Sequence, residues 1–418
     1  MTTSATSPTR PHDPYSALRD PGYRYFAIGW IIAQLGQQIQ SVAIGWELFN
    51  RTKDPLVLGW VGLLQAIPVM VLALPAGQLS DRFDRRRILL CTMLTAACCS
   101  LALATLSHLH GPIWAYYIAL TAGAVSNAIG WPARQSIVPQ IVTPENLPNA
   151  ITWNSTFFQL ASIIGPGVGG FVLVWSTTAS YLITAICLLG YASLLGGVKL
   201  RTTNAGRREP ITLHTLLAGI RFVYQQKIIL ATITLDLVAV LLGGATYLLP
   251  IFATTILHAG SVQYGWLRAA PAIGAMLMAL ALAHRPPMQR PGRAMLLAVA
   301  GFGVATIIFG LSHNLWLSLI MLFLTGAFDN ISVVVRHTLL QLLTPDEMRG
   351  RVSAVNVVFI GASNDLGGFE SGTTARLWGP ITSVVVGGIG AVLTTLWVSF
   401  QWPQVRKIGV LHEVKPEE

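Results

Sequence analysis

Uncharged stretches dominate this chain. No Lys, Arg, Asp or Glu occurs at 25–46, 55–80, 88–133, 146–198, 237–267, 294–328 or 377–405. A bilayer-spanning helix needs about 20 apolar residues, whereas a membrane β-strand needs only about 10 in strict alternation. Continuous apolar runs of this length predict helices. The runs 88–133 and 146–198 are each long enough for two, turning at His108-Leu109-His110-Gly111-Pro112 and near Trp175-Ser176-Thr177-Thr178. The pattern predicts an all-α membrane protein of twelve spans, near 25–49, 56–80, 88–108, 113–133, 149–174, 179–198, 228–256, 264–284, 294–312, 315–335, 352–374 and 379–402.

The pattern is written twice. Gly62-Leu63-Leu64-Gln65-Ala66-Ile67-Pro68 in span 2 matches Gly265-Trp266-Leu267-Arg268-Ala269-Ala270-Pro271 in span 8, at an offset of 203. After span 4, Arg134-Gln135-Ser136-Ile137-Val138 leads to Thr143-Pro144-Glu145. After span 10, Arg336-His337-Thr338-Leu339-Leu340 leads to Thr344-Pro345-Asp346, at an offset of 201–202. Two matches at nearly one offset define a repeat of six spans. Six is even, so both halves cross the membrane in the same sense, as parallel repeats about an axis along the membrane normal. Residues 25–198 then form an N-terminal six-helix bundle and 228–402 a C-terminal one, with tails at 1–24 and 403–418. In the linker 199–227, Ile211, Leu216, Leu217, Ile220 and Val223 suggest an amphipathic helix on the inner surface. Two parallel bundles imply a cavity between them that opens to one side at a time, which is the architecture of a transporter.

Composition and charge sharpen this picture. Apolar residue types make up 53% of the 418 residues and charged types 11%, against about 25% charged in a soluble domain. Disorder and a soluble multidomain protein are both excluded. The net charge of +10 reads as topology, not as nucleic-acid binding. With the N-terminus inside, the inner segments hold 23 Lys and Arg and the outer loops three, Arg51, Lys53 and Arg376. That asymmetry predicts both termini in the cytoplasm. Cys91, Cys98, Cys99 and Cys187 all lie in apolar runs without metal spacing and read as packing residues. The first 20 residues lack the apolar core of a signal peptide, so span 1 is expected to direct insertion.

The strongest local motif is Gly77-Gln78-Leu79-Ser80-Asp81-Arg82-Phe83-Asp84-Arg85-Arg86-Arg87, between spans 2 and 3. Gly77 lets a neighbouring helix approach, Asp81 suits the positive N-terminus of another helix, and Arg82, Arg85 and Arg86 can pair with carboxylates across a closing seam. The plainer reading is a positive-inside anchor. The stretch resembles the signature loop of the major facilitator superfamily, Gly-x-Leu-Ala-Asp-Arg-x-Gly-Arg-Arg, departing from it at Asp84. The resemblance implies a conformational latch in which Asp81 braces the start of span 11 and Arg134 is its partner. The second-half counterpart, Leu280 to Arg290, is eroded, with His284 in place of Asp81.

In span 5, Gly165, Pro166, Gly169 and Gly170 form a small-residue packing face with a bend at the proline. Their order also resembles the antiporter motif of exporting facilitators, with Ala161 in place of that motif's first glycine. Trp131-Pro132-Ala133-Arg134-Gln135, Asn149-Ala150-Ile151, Asp329-Asn330-Ile331-Ser332 and Gly368-Phe369-Glu370-Ser371-Gly372 are similar to the bacterial enterobactin-exporter (transmembrane secretion effector) branch. That branch implies export of siderophores or assorted amphiphilic drugs across the bacterial inner membrane. Span 4 lacks the mid-span Arg of many proton-coupled drug exporters.

Charge inside a bilayer is costly and marks function by default. The candidates are Asp236, Arg268, Asp329, Asp365 and Glu370, with Glu47 as a bland i,i+4 pair with Arg51. Arg268 either snorkels outward or pairs with a span 11 carboxylate. Glu370 is expected to contact a charged or hydroxyl group, with Arg268 or Arg376 as first choices. Asp236 lies about 13 Å beyond Lys227 along a helix, and Asp329 about 10 Å before Arg336. Asp329 shares a helix face with Arg336 and reads as its structural partner. Asp236 has no nearby cation and reads either as a proton carrier or as a fixed hydrogen-bond acceptor. Gln34, Gln37 and Gln38 share a face of span 1, lining a cavity or bonding helices together. Asn154, Phe157 and Phe158 mix polar and aromatic groups on span 5 and join them as substrate-site candidates.

No phosphate-binding loop, zinc motif or nucleophile elbow occurs, so no enzyme, cofactor or metal is expected. The expected function is secondary active export of an amphiphilic small molecule, with protons and lipid as further partners, by a monomer. A facilitator or importer of a small solute and a non-transporting receptor are the alternatives.

Overall fold

The structure is a computed structural model and describes residues 13–198, 200, 213–286 and 288–409. The first half holds α1 (Pro21–Thr52), α2 (Pro55–Arg82), α3 (Arg85–His108), α4 (Ile113–Ile141), α5 (Leu147–Trp175) and α6 (Thr177–Gly196). A short helix, α7 (Leu213–Gln225), leads into the second half. There follow α8 (Lys227–Leu242), α9 (Leu249–Ile251), α10 (Ser261–Ala283), α11 (Pro291–Leu311), α12 (Leu315–Leu343), α13 (Asp346–Trp378), α14 (Pro380–Gln401) and the terminal turn α15 (Pro403–Lys407).

Several loop carboxylates cap these helices. Asp20 accepts from the Gly22 and Tyr23 amides, and Asp54 from the Leu56 amide. Asp84 accepts from the Arg86 and Arg87 amides at 2.8 and 3.3 Å. Each satisfies donors that a helix start leaves open. The departure from the signature loop at Asp84 is thus the N-cap of α3.

Among the described residues, nine helical segments are long and apolar enough to cross a membrane. The long helices α1, α4 and α13 fall short, and they carry the Gln34–Gln38 face, Asn127, and Asp365 with Glu370. Polarity on a spanning helix marks a cavity or seam, because lipid cannot satisfy it.

The expected span 228–256 is broken. It stops at Leu242, continues as a 3-10 turn over Gly244–Leu248, and closes with a π turn over Phe252–Ile256. Gly243 and Gly244 are poor helix formers, and Pro250 removes a further amide donor; a Cβ on Gly244 would also stand 2.7 Å from the Gly367 carbonyl of α13. Part of the linker helix packs on the second half. Ile211 lies outside the described residues, while Val223 is buried and Ile220 packs against the C-terminal core. The apolar face of α7 therefore lies on the end of its own bundle, where Gly219 meets Arg351 and Val355.

In the first half α1 packs on α5 and α6, α2 on α4, and α3 on α4 and α6. In the second, α12 packs on α10 and α11, α14 on α11, and α8 on α13 and α14. The halves meet through α2 against α13 and α5 against α10. The hydrophobic core has the same division. One cluster, including Val42, Leu58, Tyr116, Leu248, Tyr264 and Phe309, belongs to both halves and sits at the end remote from the Phe83–Asp84 loop. At the loop end there are two separate clusters, one around Phe26, Leu89 and Ile137, the other around Leu235, Val299 and Leu339. The halves are joined at the far end and parted at the loop end.

Candidate functional site

A cavity of about 240 Å³ opens in the N-terminal half, lined by Trp30, Gln34, Gln37, Gln38, Asn127, Trp131, Arg134 and Phe158. Gln38 donates to Ser162 on α5 at 3.3 Å. Among the described residues no group takes up the amides of Gln34, Gln37 and Asn127, which therefore face the cavity with their hydrogen-bonding capacity unused. Arg134 is only 7% exposed. Its guanidinium lies over Trp30 at 4.3 Å and over Trp131 at 4.9 Å.

Four of the six substrate-site candidates thus line this cavity. Asn154 and Phe157 do not. The Asn154 side chain accepts from the Tyr23 hydroxyl at 3.0 Å, and Phe157 packs, with its ring tilted, against Trp153 and the N-terminal core. Trp30, Asn127 and Trp131 were not among the site candidates read from the sequence, although Trp131 opens one of the branch motifs. Asn127, Trp131 and Arg134 stand at i, i+4 and i+7, one face of α4, and that stripe was the available signal. Nor is Arg134 at a surface, since α4 runs two turns beyond it to Ile141.

The corresponding place in the second half is charged. A void of about 10 Å³, the room of one water, is lined by Asp236, Ala239, Val240, Val299, Phe302, Asp329 and Ser332. Arg336 forms an ion pair with Asp236, the two side chains being 2% and 7% exposed. This corrects the expected pairing of Arg336 with Asp329 and the view of Asp236 as free of cations. Residues seven apart share a face but lie about 10.5 Å apart along the axis, beyond easy reach, while Asp236 comes from the facing helix α8. Arg336 is also no surface marker, because α12 continues to Leu343. No described cation or hydroxyl reaches the Asp329 carboxylate, and Arg336 Nε has no acceptor.

The far-end seam is built from glycine. A Cβ on Gly170 would stand 3.0 Å from Gly265 Cα, and one on Gly265 would stand 2.5 Å from the Pro166 carbonyl. On the other seam a Cβ on Gly62 would stand 2.7 Å from the Asp365 carbonyl, and one on Gly372 2.6 Å from Gly59 Cα. Gly62 and Gly265, matched by the repeat, thus occupy equivalent seams. Arg268 donates to Ser41 Oγ of the first half at 2.9 Å and to the Thr246 carbonyl at 3.3 Å. It neither snorkels nor pairs with a span 11 carboxylate, because the turn after α8 leaves that carbonyl available. Asp365 accepts from Tyr247 at 2.8 Å. Arg376 pairs with Asp54 across the halves at 3.4 Å. Glu370 accepts from the adjacent Ser371 hydroxyl at 3.3 Å, not from Arg268 or Arg376.

Two six-helix halves sharing one core at one end and parted at the other, with a polar cavity in the first half, form a transporter scaffold, and the family model for transmembrane secretion effectors matches residues 12–409. The chain belongs to this family of the major facilitator superfamily. It is a multi-pass membrane transporter, not an enzyme. It is 26% identical to the enterobactin exporter of Citrobacter koseri over 394 residues, 93% of each chain. It is likewise 26% identical to the enterobactin exporter of Escherichia coli O1:K1 over 380 residues, 89% of this chain and 90% of the relative. Among solved structures, a bacterial homologue of the human lysosomal transporter Spinster in an inward-facing, occupied conformation superposes with a TM-score of 0.73 at 12% identity, covering 95% of this chain and 99% of the other. A D-xylose–proton symporter gives 0.70 at 14% identity, covering 94% and 100%. These two likenesses show the fold.

The facilitator motifs fall at both ends of the seam. In the span 5 motif, Gly165 and Gly169 face Gln38 and Ile39 of α1, while Pro166 and Gly170 face α10 of the other half. In the signature loop, a Cβ on Gly77 would meet nothing within 4 Å among the described residues. Arg85 donates to the Ser136 carbonyl and Arg86 to the Gly196 carbonyl, both within the first half. Arg82 is exposed, and the Asp81 side chain lies outside the described residues.

Proposed function

We propose that this transporter is a proton-driven exporter of an amphiphilic small molecule from the bacterial cytoplasm. Its relatives' printed activity, enterobactin export, supports the direction. The observation that carries the reading is the asymmetric core, shared at the far end and split at the loop end. With both tails and the 199–227 linker in the cytoplasm, as the Lys and Arg asymmetry favours, the cavity of this state faces the cytoplasm and loads from there. Closing the loop end while opening the glycine seams would release the cargo outside.

The proton site is built from three groups, Asp236, Asp329 and Arg336, of which one carries the proton. The site holds two carboxylates, Asp236 and Asp329, and one cation, Arg336, so one proton balances it. As Asp236 is engaged by Arg336, Asp329 is the carboxylate that takes and gives up that proton. The signature loop is the latch of the opposite state, with Gly77 admitting a helix of the second half and Asp81 and Arg85 holding it. The transporter works as a monomer in the inner membrane. The test is substrate-dependent proton movement in proteoliposomes over a panel of siderophores and lipophilic drugs. Coupled flux in opposite directions is expected, and substrate flux indifferent to any proton gradient overturns the antiport reading.

A further inference from the structure

The two halves carry one constellation in two charge states. At an offset of 202, Gln34 corresponds to Asp236, Asn127 to Asp329 and Arg134 to Arg336. The first three line the cavity of the N-terminal half, and both aspartates line the void of the C-terminal half. Each pair is thus placed alike by the repeat. In the second half the guanidinium has a carboxylate partner and a second carboxylate beside it. In the first half both carboxylates are replaced by amides, Asn127 matching an aspartate in shape and Gln34 one methylene longer, and the arginine remains.

Arg134 is therefore the one formal charge on the cavity lining, and it has no counter-ion among the described residues. It is more than nine-tenths buried, where an uncompensated charge is costly unless something pairs with it. The cation–π contacts with Trp30 and Trp131 satisfy none of the guanidinium N–H donors, which match a carboxylate or phenolate edge. The amides of Gln34, Gln37 and Asn127 add donors and acceptors with no internal partner. Phe158 and the two tryptophans supply flat apolar walls. About 150 Å³ holds a benzene-sized guest, so about 240 Å³ holds one substituted ring or a fused pair.

We propose that the N-terminal cavity is a binding site for an aromatic organic anion, with Arg134 reading the negative group and Trp30, Trp131 and Phe158 the ring. This rests on the reading of the chain as a transporter whose cavity holds its cargo, and it names that cargo's class. The halves divide the work: the first binds the anion, and the second keeps its own arginine neutralised for the proton.

The test uses the full-length protein in detergent and three probes of one shape: 1-naphthoate, its neutral amide, and the cationic 1-naphthylmethylammonium, each measured by calorimetry. Wild type is expected to prefer the carboxylate to both others by roughly tenfold or more. Arg134→Gln is expected to abolish that preference while still binding the amide, which also reports that it is folded. Gln34→Asp rebuilds the second half's ion pair inside the first and is expected to suppress naphthoate binding with Arg134 still present. Equal or better binding of the amide or ammonium by wild type, binding of none of the three, or unchanged naphthoate affinity in both variants would overturn the proposal. So would loss of all transport in Arg134→Gln with naphthoate binding intact, which assigns Arg134 to the latch. Naphthoate efflux from proteoliposomes separates the two levels. Binding without flux overturns the transport reading and leaves the site, whereas flux of neutral or cationic drugs without naphthoate binding does the reverse.

Discussion

Arg336 on α12 pairs with Asp236 on the facing helix α8, and not with Asp329 two turns away on its own. Removing one partner of a buried pair leaves the other charge uncompensated, at a cost of about 3–5 kcal/mol. Asp236→Asn and Arg336→Gln alone should each lower the thermal midpoint in detergent markedly. The double variant removes both charges, and its midpoint should return most of the way while coupled transport stays lost. A double variant no more stable than either single one would show that the pair is not the source of the effect.

Asp329 has no described partner, so Asp329→Asn removes no contact. Its stability should stay within about 1 kcal/mol of wild type. Uphill transport driven by a proton gradient should disappear, with downhill exchange of cargo retained. Retained uphill transport would return the proton to Asp236.

The seam between Gly170 and Gly265 leaves no room for a side chain. Gly265→Val overpacks the far-end-closed state by about 1–3 kcal/mol, which shifts its balance against a state open there by roughly 5- to 150-fold. Turnover should fall while expression holds. A cysteine placed at Ser41, beside Arg268 in the seam, should gain reactivity toward an impermeant maleimide added from outside. Unchanged labelling would mean that the seam does not gate that side.

Glu47 was expected to be a simple helix pair with Arg51, and the ion pair is there at 3.8 Å. The structure adds Tyr116 and Tyr181, whose hydroxyls donate to its two oxygens at 2.7 and 2.8 Å. Arg51 in turn donates to the Tyr116 hydroxyl and the His110 and Gly111 carbonyls. Two bonds to a charged acceptor at about 1.5–3 kcal/mol each predict that Glu47→Ala costs about 3 kcal/mol of stability. Equal unfolding midpoints for Glu47→Ala and wild type would refute this.

Read from the residues alone, the chain already showed its helices, its two-fold repeat and the glycines of both seams, because lipid forces long apolar runs and a repeat copies its packing positions. It also held the offset linking Gln34, Asn127 and Arg134 to Asp236, Asp329 and Arg336. What it did not determine was which groups touch. Asp329 and Arg336 share a helix face, yet two turns of rise separate them, and only the packing of α8 on α12 brings Asp236 to the guanidinium. Arg268 was left between snorkelling and a span 11 carboxylate until the break after Leu242 presented it with a carbonyl. Arg134 looked like the end of a helix until two further turns of α4 placed it inside, against two tryptophans. Periodicity along one helix sets direction, whereas contact depends on which other helix stands opposite, and that is decided by tertiary structure.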